Sequence, residues 1–298
     1  EIASCLVGSE MCIRDSTTER LEHHEEAPSL KECLHLLVTN RPLLMLFLGN
    51  IFFVIIKVSE QASFYFAYDA LFNAKYNGFL DIAKAPGSFL AGIFVPIIIE
   101  RLGRKADSKK FYQVCCVMGI VLNGLFALCT YNGIMNKGAG QSVSLLTGLM
   151  VIVFSAVVTF PLEFKNLMQK EMEAETVDYV EWKTGKRVEG TMLSIMSFTG
   201  KLEGTLSSFI CLQVLARTGY VEHTTDVSTL QNHSTLLGLF LMTTVFPMVG
   251  YALMLIPMHF YNITGDSHRR MIKDIMARRA QAGEAAAQEA VAAEAKEG

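Results

Sequence analysis

The sequence predicts an all-α membrane protein, built as a bundle of six transmembrane helices. Hydrophobic residues make up 51% of the 298 residues and only 18% are charged, against about 25% charged residues in soluble domains. Six apolar segments are each long enough to cross a hydrocarbon core of about 30 Å. Lysine and arginine concentrate in alternate connections between these segments, as expected for membrane-spanning chains.

The six apolar segments define the predicted domain organisation. Proline, glycine and polar clusters separate them. They cover residues 42–66, 78–99, 111–131, 144–164, 191–216 and 235–260. The bundle is expected over residues 42–262, preceded by a linker and the start of the first helix at 17–41. Residues 263–298, rich in Ala, Glu and Gln towards their end, are expected to form a largely disordered cytoplasmic tail.

The loop charges give an orientation. The connections after the second and fourth segments and residues 261–279 after the sixth each carry five Lys or Arg, whereas the three alternate connections carry one each. Because cytoplasmic loops are enriched in these residues, both chain ends are predicted to face the cytoplasm, with the plasma (inner) membrane as the location. The basic residues of the three rich stretches are Arg101, Arg104, Lys105, Lys109, Lys110, Lys165, Lys170, Lys183, Lys186, Arg187, Arg269, Arg270, Lys273, Arg278 and Arg279.

The first sixteen residues are set apart from the fold. Residues 6–16, LVGSEMCIRDS, resemble the translation of an adapter used in sequencing libraries rather than a protein element. Residues 1–16 are therefore excluded from fold reasoning. The natural protein is expected to begin elsewhere and to be longer.

Charges inside the apolar segments point to function, because a charge near the bilayer centre costs at least about 2.5–3.5 kcal/mol. The stretch 193–209, LSIMSFTGKLEGTLSSF, contains Lys201 and Glu203 near its middle. Helical spacing sets Lys201 within a polar stripe that suits the wall of a water-filled cavity. The other members of this stripe are Ser194, Ser197, Thr205 and Ser208.

Four further charges lie within the first two segments and have an uncertain role. Glu203 is expected to meet a lysine on a neighbouring helix, either Lys57 or Lys84. Within their own segments Lys57 and Glu60, and Asp81 and Lys84, are spaced to pair at i,i+3. The alternative is that all these pairs only fix the packing of the helices.

A known family shares the most specific part of this pattern. Residues 172–204, MEAETVDYVEWKTGKRVEGTMLSIMSFTGKLEG, closely resemble a loop and helix of the glycoside–pentoside–hexuronide:cation symporters, a melibiose-permease-like branch of the major facilitator superfamily. Weaker matches are SLKECLHLLVTNRPLLMLFLGNIFF, ERLGRK, LMTTVFPMVGYALM and HFYNITGDSHRRMIKDI. The resemblance covers residues 29–275 and implies the C-terminal half of a twelve-helix fold.

The resemblance also implies site residues and partners. Lys201, Ser197, Ser194 and Thr205 would contact a sugar or another small polar solute. Asp178, Glu181, Arg187, Glu189, Arg101 and Arg104 would form a cytoplasmic gate of ion pairs. A coupling cation, Na⁺ or H⁺, is expected, with its main ligands in the six N-terminal helices. Glu203 and the charges of the first two segments depart from the family pattern, so an acidic sugar or another polar solute is an alternative substrate.

The predicted function is therefore a secondary active transporter that couples sugar or glycoside uptake to a cation by alternating access. The alternatives are a carrier of lysolipid or of another polar solute with the same fold and, in a different class, a membrane-embedded enzyme. No G-x-S-x-G elbow or metal-ligand spacing is found in or beside the apolar segments. We therefore expect no catalytic residue, metal site or cofactor, and the net charge of −3 gives no indication of nucleic-acid binding.

Overall fold

The computed structural model describes residues 30–72, 75–101, 107–136, 141–185, 188–222 and 230–297, and these residues are helical apart from short connections. The predicted adapter segment 1–16 lies outside them. In chain order the helices are α1 (Leu30–Thr39), α2 (Arg41–Tyr65, continued by a π-helical turn at Phe66–Ala70), α3 (Lys75–Arg101), α4 (Ser108–Met135), α5 (Leu145–Thr184), α6 (Glu189–Thr218), α7 (His233–Phe260) and α8 (Gly265–Glu297).

Each of the six apolar segments is confirmed as a helix, from α2 to α7. The largest difference is at α5, which continues to Thr184 rather than ending at residue 164. Hydropathy marks only the apolar part of a helix, and the charged residues beyond it have good helix propensity. The helix stops at Gly185, whose φ of 73° is the left-handed conformation that glycine adopts at little cost.

Four helices are long and apolar enough to cross a membrane. They are Arg41–Ala70, Ser108–Met135, Leu145–Thr184 and His233–Phe260. The helices of the other two apolar segments, α3 and α6, have 27 and 30 residues and carry charges within their apolar sequences. A bundle of six membrane-spanning helices therefore stays a prediction, whereas the membrane-spanning length and composition of the four helices are found directly.

Helix α2 is central to the packing. It lies against α7 along most of its length and against α6 on another side, while α4 bridges α5 and α7, and α3 packs on α5. Glycine permits the close contact of α4 with α7, because a Cβ at Gly119 would stand 2.5 Å from Cε2 of Tyr251. Near the start of α2, Oδ1 of Asn50 accepts a hydrogen bond from Nε2 of Gln169 on α5 (2.7 Å). This bond joins the two helices there.

Helix α8 differs from the predicted disordered tail. Its first turns pack on the charged end of α5, where Met271 and Ile275 are buried. The indole Nε1 of Trp182 donates a hydrogen bond to Asp274 (3.0 Å), and Arg278 donates one to the carbonyl oxygen of Trp182 (2.8 Å). The prediction of disorder followed the Ala-, Glu- and Gln-rich composition of residues 282–298. That composition gives no indication of the buried and hydrogen-bonded residues in the first turns of α8.

Candidate functional site

Helix α6 has two contrasting faces. Met192, Ile195, Thr199 and Glu203 are buried, and their spacing of three and four residues places them on the side that packs against α2. The residues predicted to bind substrate are exposed: Ser194, Ser197, Lys201 and Thr205. The structure therefore brings the predicted polar stripe together on one surface of α6, opposite the packed side.

The exposed stripe presents hydrogen-bond acceptors together with one ammonium group. The hydroxyls of Ser194 and Thr205 donate to the carbonyl oxygens of Gly190 (2.9 Å) and Lys201 (3.0 Å) on their own helix. Their oxygen lone pairs are thus available to a donor outside the helix. Large apolar side chains flank the stripe, since Leu193, Phe198, Phe209 and Leu212 are also exposed.

No helix of the described chain covers the surface of α6 around Lys201. Apart from the adjacent residues and the backbone of α6 itself, no atom of the described residues lies within 4 Å of a Cβ placed at Gly200 or at Gly204. The G-x-x-x-G spacing, which permits close helix approach, is therefore open on this side. The same surface carries Lys201 one residue after Gly200, so a ligand or another helix can reach both.

The packed side of α6 contains an ion pair within the apolar region. Nζ of Lys57 on α2 lies 3.5 Å from Oε2 of Glu203, with side-chain exposures of 29% and 8%. The expectation that Glu203 meets a lysine on a neighbouring helix is confirmed, and the partner is Lys57 rather than Lys84. The predicted pairing of Lys57 with Glu60 is wrong, because Lys57 points across to α6 while Glu60 is exposed one turn further on.

The second predicted i,i+3 pair is confirmed. Nζ of Lys84 lies 3.3 Å from Oδ1 of Asp81 on α3, and the Asp81 side chain is 62% exposed. Such exposed pairs contribute little to stability, typically about 0–1 kcal/mol. Lys84 also lines a cleft between the helices.

This cleft has a volume of about 310 Å³ and lies between α2 and α5, with α3, α4 and α7 completing its walls. Charged, hydroxyl and amide groups line much of it, together with the phenol of Tyr251. The residues of its wall with ionisable or polar side chains are Ser59, Glu60, Ser63, Lys84, Ser88, Asn123, Ser155, Thr159, Glu163, Thr243 and Tyr251.

Lys165 is a buried charge that the sequence analysis missed, because it was counted among the basic residues of a connection. In the structure it lies within α5 and is 0% exposed. Its Nζ lies 3.6 Å from the ring centroid of Phe53, a cation–π contact, and donates to Oε1 of Gln169 (3.2 Å). The sequence offers one indication of this position. Lys165 directly follows an apolar segment and is spaced i,i+4 from Gln169, which is typical of a helix that continues.

The predicted gate residues that the structure describes pair mainly with α8. Oδ2 of Asp178 lies 2.9 Å from Nε2 of His268, and Nε of Arg279 donates to Oε1 of Glu181 (3.1 Å). The hydrogen bond with Asp178 raises the pKa of His268 above its ordinary value, against the opposing effect of burial. Glu189 is the first residue of α6. Arg101 is the last residue of α3, and the structure describes its backbone only. Arg104 and Arg187 lie outside the described residues.

Comparison with known proteins adds the family. The model of the family described as "MFS/sugar transport protein" matches residues 3–265. This match begins inside segment 1–16, so the assignment of that segment to an adapter stays a prediction. No three His, Cys, Asp or Glu side chains group as a metal site in the part of the chain that the structure describes.

The chain is also similar to several curated proteins. It is 25% identical over 256 residues to "Uncharacterized symporter YjmB" of Bacillus subtilis (strain 168), covering 85% of this chain and 50% of that protein. It is 26% identical over 280 residues to "Uncharacterized symporter YnaJ" of the same organism, covering 92% and 54%. It is 24% identical over 262 residues to "Glucuronide carrier protein homolog" of Escherichia coli (strain K12), covering 87% and 52%.

The chain therefore spans about half the length of the curated relatives that it matches. The family model, in contrast, covers most of the chain, including every helix from α1 to α7. Its helices of membrane-spanning length agree with a family of integral membrane carriers. On the extent of this match, the chain belongs to the MFS/sugar transport protein family.

Proposed function

We propose that helices α2 to α7 form the C-terminal six-helix half of a secondary active transporter, which moves a sugar or glycoside together with a cation by alternating access. The observation that carries the proposal is the exposed polar stripe of α6 around Lys201, on a helix whose other face is fixed to α2 by the Lys57–Glu203 pair. In such carriers the substrate binds near the membrane midplane between two halves. The uncovered α6 surface has the polarity required of one wall of that site.

Lys201 would recognise the substrate. Its ammonium group offers three donors, which suit sugar hydroxyls and, more strongly, the carboxylate of an acidic sugar. One relative is named as a glucuronide carrier homolog, and a glucuronide combines both kinds of group. We therefore infer that an acidic sugar is the preferred substrate class, with Ser194, Ser197 and Thr205 contacting its hydroxyls.

The remaining assignments follow from the same proposal. Both chain ends would be cytoplasmic, at the plasma (inner) membrane, which puts the contact between α5 and α8 on the cytoplasmic side. Asp178 and Glu181, already held by α8, would form part of a gate that opens and closes that side. The other members of the proposed gate are Arg187, Glu189, Arg101 and Arg104.

One observation favours a second candidate, a carrier of lysolipid. Phe198 and Phe209 are exposed on the same helix as Lys201, and an ammonium beside apolar surface could bind a phosphate headgroup next to an acyl chain. The polar stripe favours the sugar, because the hydroxyl groups of Ser194, Ser197 and Thr205 match a ligand with several hydroxyls better than a single phosphate headgroup. Competition between a glucuronide and a lysolipid for transport separates the two.

The test is Lys201→Ala in the longest natural form of the protein, reconstituted into liposomes with an imposed Na⁺ or H⁺ gradient. Accumulation of labelled glucuronide should fall to background, because the substrate loses its charged partner, while Lys201→Arg should retain part of it. The matched control is Lys110→Ala, which removes a lysine that is 79% exposed near the start of α4. Uptake by Lys201→Ala close to that of the unmodified protein would overturn the proposal.

A further inference from the structure

A second cavity lies at the contact between α5 and α8, apart from the stripe of α6. It has a volume of about 400 Å³, within the range of about 300–1,000 Å³ that is usual for pockets that bind small molecules. Tyr179 and Trp182 of α5 form one wall, the first turns of α8 form the other, and residues 262–264 lie between them. Its described lining residues include none from α6, so a ligand in it would occupy a position that the proposed substrate site does not use.

The wall on α5 is aromatic. Tyr179 and Trp182 are spaced i,i+3 along the helix, and their ring centroids are 6.3 Å apart. The indole Nε1 of Trp182 already donates to Asp274 (3.0 Å), so this side chain offers a ligand the face of its ring. The buried residues Ile263 and Met271 add apolar surface to the lining. A ligand of this cavity therefore needs an apolar face that can lie against the rings.

The wall on α8 and the adjoining connection is polar, and it supplies both donors and acceptors. Arg270 and Asn262 are exposed, and neither side chain makes a hydrogen bond to another residue that the structure describes. The guanidinium of Arg270 has five N–H donors, and the amide of Asn262 provides donors and an acceptor. Asp274 accepts from Trp182 through Oδ2, which leaves Oδ1 as a further acceptor. This combination matches hydroxyl groups, because each hydroxyl both donates and accepts.

The charges of the polar wall balance. Asp266 pairs with Arg269 on the same helix. One positive and one negative group then remain among the described lining residues, Arg270 and Asp274, at i,i+4 spacing. A metal cation would have the guanidinium close by, and a phosphate would have the carboxylate close by. A neutral ligand, or one with a single carboxylate that Arg270 can bind, avoids both conflicts. A pyranose ring meets these requirements, because its C–H face is apolar and its edge carries hydroxyls.

We propose that this cavity binds a monosaccharide, with Tyr179 and Trp182 against its apolar face and the side chains of Asn262, Arg270 and Asp274 bonded to its hydroxyls. A sugar acid would bind more tightly than a neutral sugar, because its carboxylate can accept two parallel hydrogen bonds from Arg270. The bound sugar would touch both α5 and α8 and would therefore stabilise their contact. That this sugar is the one released by transport rests on the proposed function, whereas its binding in the cavity does not.

The experiment follows the emission of Trp182 in the 298-residue chain, at constant pH and in a detergent without a sugar headgroup, while glucuronate or glucose is added. Trp182 is the only tryptophan of the chain, so a saturable change reports this cavity. Arg270→Gln should weaken the apparent affinity for glucuronate about ten-fold or more, since hydrogen bonds to charged groups contribute about 1.5–3 kcal/mol, and should abolish the preference over glucose. Asn262→Ala should weaken both sugars alike. Both residues are exposed, so neither substitution threatens folding.

The matched control is Lys273→Gln, which changes an exposed residue of α8 outside the cavity lining and should bind both sugars as the unmodified chain does. Equilibrium dialysis of labelled glucuronate against the Lys201→Ala chain detects binding that leaves the emission unchanged, without a contribution from the stripe of α6. Absence of saturable binding of either sugar, undiminished binding by Arg270→Gln, or binding of inorganic phosphate in place of both sugars would overturn the proposal. Uptake retained by Lys201→Ala would overturn the proposed function and leave this site standing.

Discussion

Two lysines of consecutive helices show how differently one residue type can be used. Lys165 of α5 is fully buried, with its ammonium against the ring of Phe53 and in a hydrogen bond with Gln169. Lys201 of α6 lies in the middle of an apolar sequence and is exposed. The residue that follows an apolar segment is the buried one, and the residue inside an apolar segment faces outward.

The difference follows from which side of each helix packs. Lys165 projects into the space between α5, α2 and α4, whereas Lys201 lies on the side of α6 away from α2. Position along a hydropathy profile gives the depth of a residue in a membrane but not the direction in which its side chain points. Sequence alone therefore identified Lys201 as unusual, and it took the packing of α2 on α5 to identify Lys165.

The largest expected effect comes from making the same substitution at both lysines of the 298-residue chain. Lys165→Glu places a carboxylate against Phe53 and should lower the free energy of unfolding by more than about 3 kcal/mol, because a buried charge then lacks a partner. Lys201→Glu should change it by less than about 0.5 kcal/mol, as expected for an exposed position. Thermal unfolding in detergent, followed by circular dichroism, measures both.

Lys165→Met sharpens the comparison, because it keeps the length of the side chain and removes its charge. Since the cost of burying an ammonium disappears with it, this variant should be much more stable than Lys165→Glu. Equal destabilisation by glutamate at residues 165 and 201 would mean that the interior around Lys165 is open to water, which contradicts the packing described above.

An intermediate effect is expected at the ion pair between α2 and α6. Lys57→Met leaves the carboxylate of Glu203, whose side chain is 8% exposed, without its partner and should cost about 2–3 kcal/mol. Glu203→Gln should cost less, because the 29% exposed Lys57 side chain can reach solvent. In a double-mutant cycle the two changes should couple by about 1–2 kcal/mol.

The exposed pair of α3 provides the control for that cycle. Asp81→Asn and Lys84→Met should couple by less than about 1 kcal/mol, because surface ion pairs are largely screened by water. A coupling for Lys57 and Glu203 no larger than this would show that burial adds nothing to the pair. Both cycles use the same thermal unfolding measurement.

The parts of the fold that sequence predicted well are those that hydropathy reports. The boundaries of α6 and α7 differ from the predicted segments 191–216 and 235–260 by only a few residues. The end of α5 was missed, because its second half is a charged helix that packs on α8 and carries no apolar run. Local composition does not report this contact, which depends on Met271 and Ile275 meeting α5.

The candidate site divides in the same way. Periodicity along one helix was sufficient to predict the exposed stripe around Lys201 and to require a partner for Glu203. Choosing Lys57 over Lys84, and finding that Glu60 and Glu163 line one cleft, needed the positions of α2, α3 and α5 relative to each other. Helical spacing is fixed by geometry within a helix, whereas contacts between helices depend on the whole bundle.

The smallest expected effect concerns the contact between α5 and α8. Because Asp178 raises the pKa of His268, protonated His268 stabilises the contact of α8 with α5. This contribution is complete below the ordinary histidine pKa of about 6.5 and is lost as pH rises through the higher folded-state value.

Trp182 reports this contact, because it is the only tryptophan of the chain and donates a hydrogen bond to Asp274 of α8. Its emission should therefore shift to the red as pH rises across that range. His268→Gln should remove the shift and His259→Gln should keep it, whereas a shift that survives in His268→Gln would assign the titration to another group.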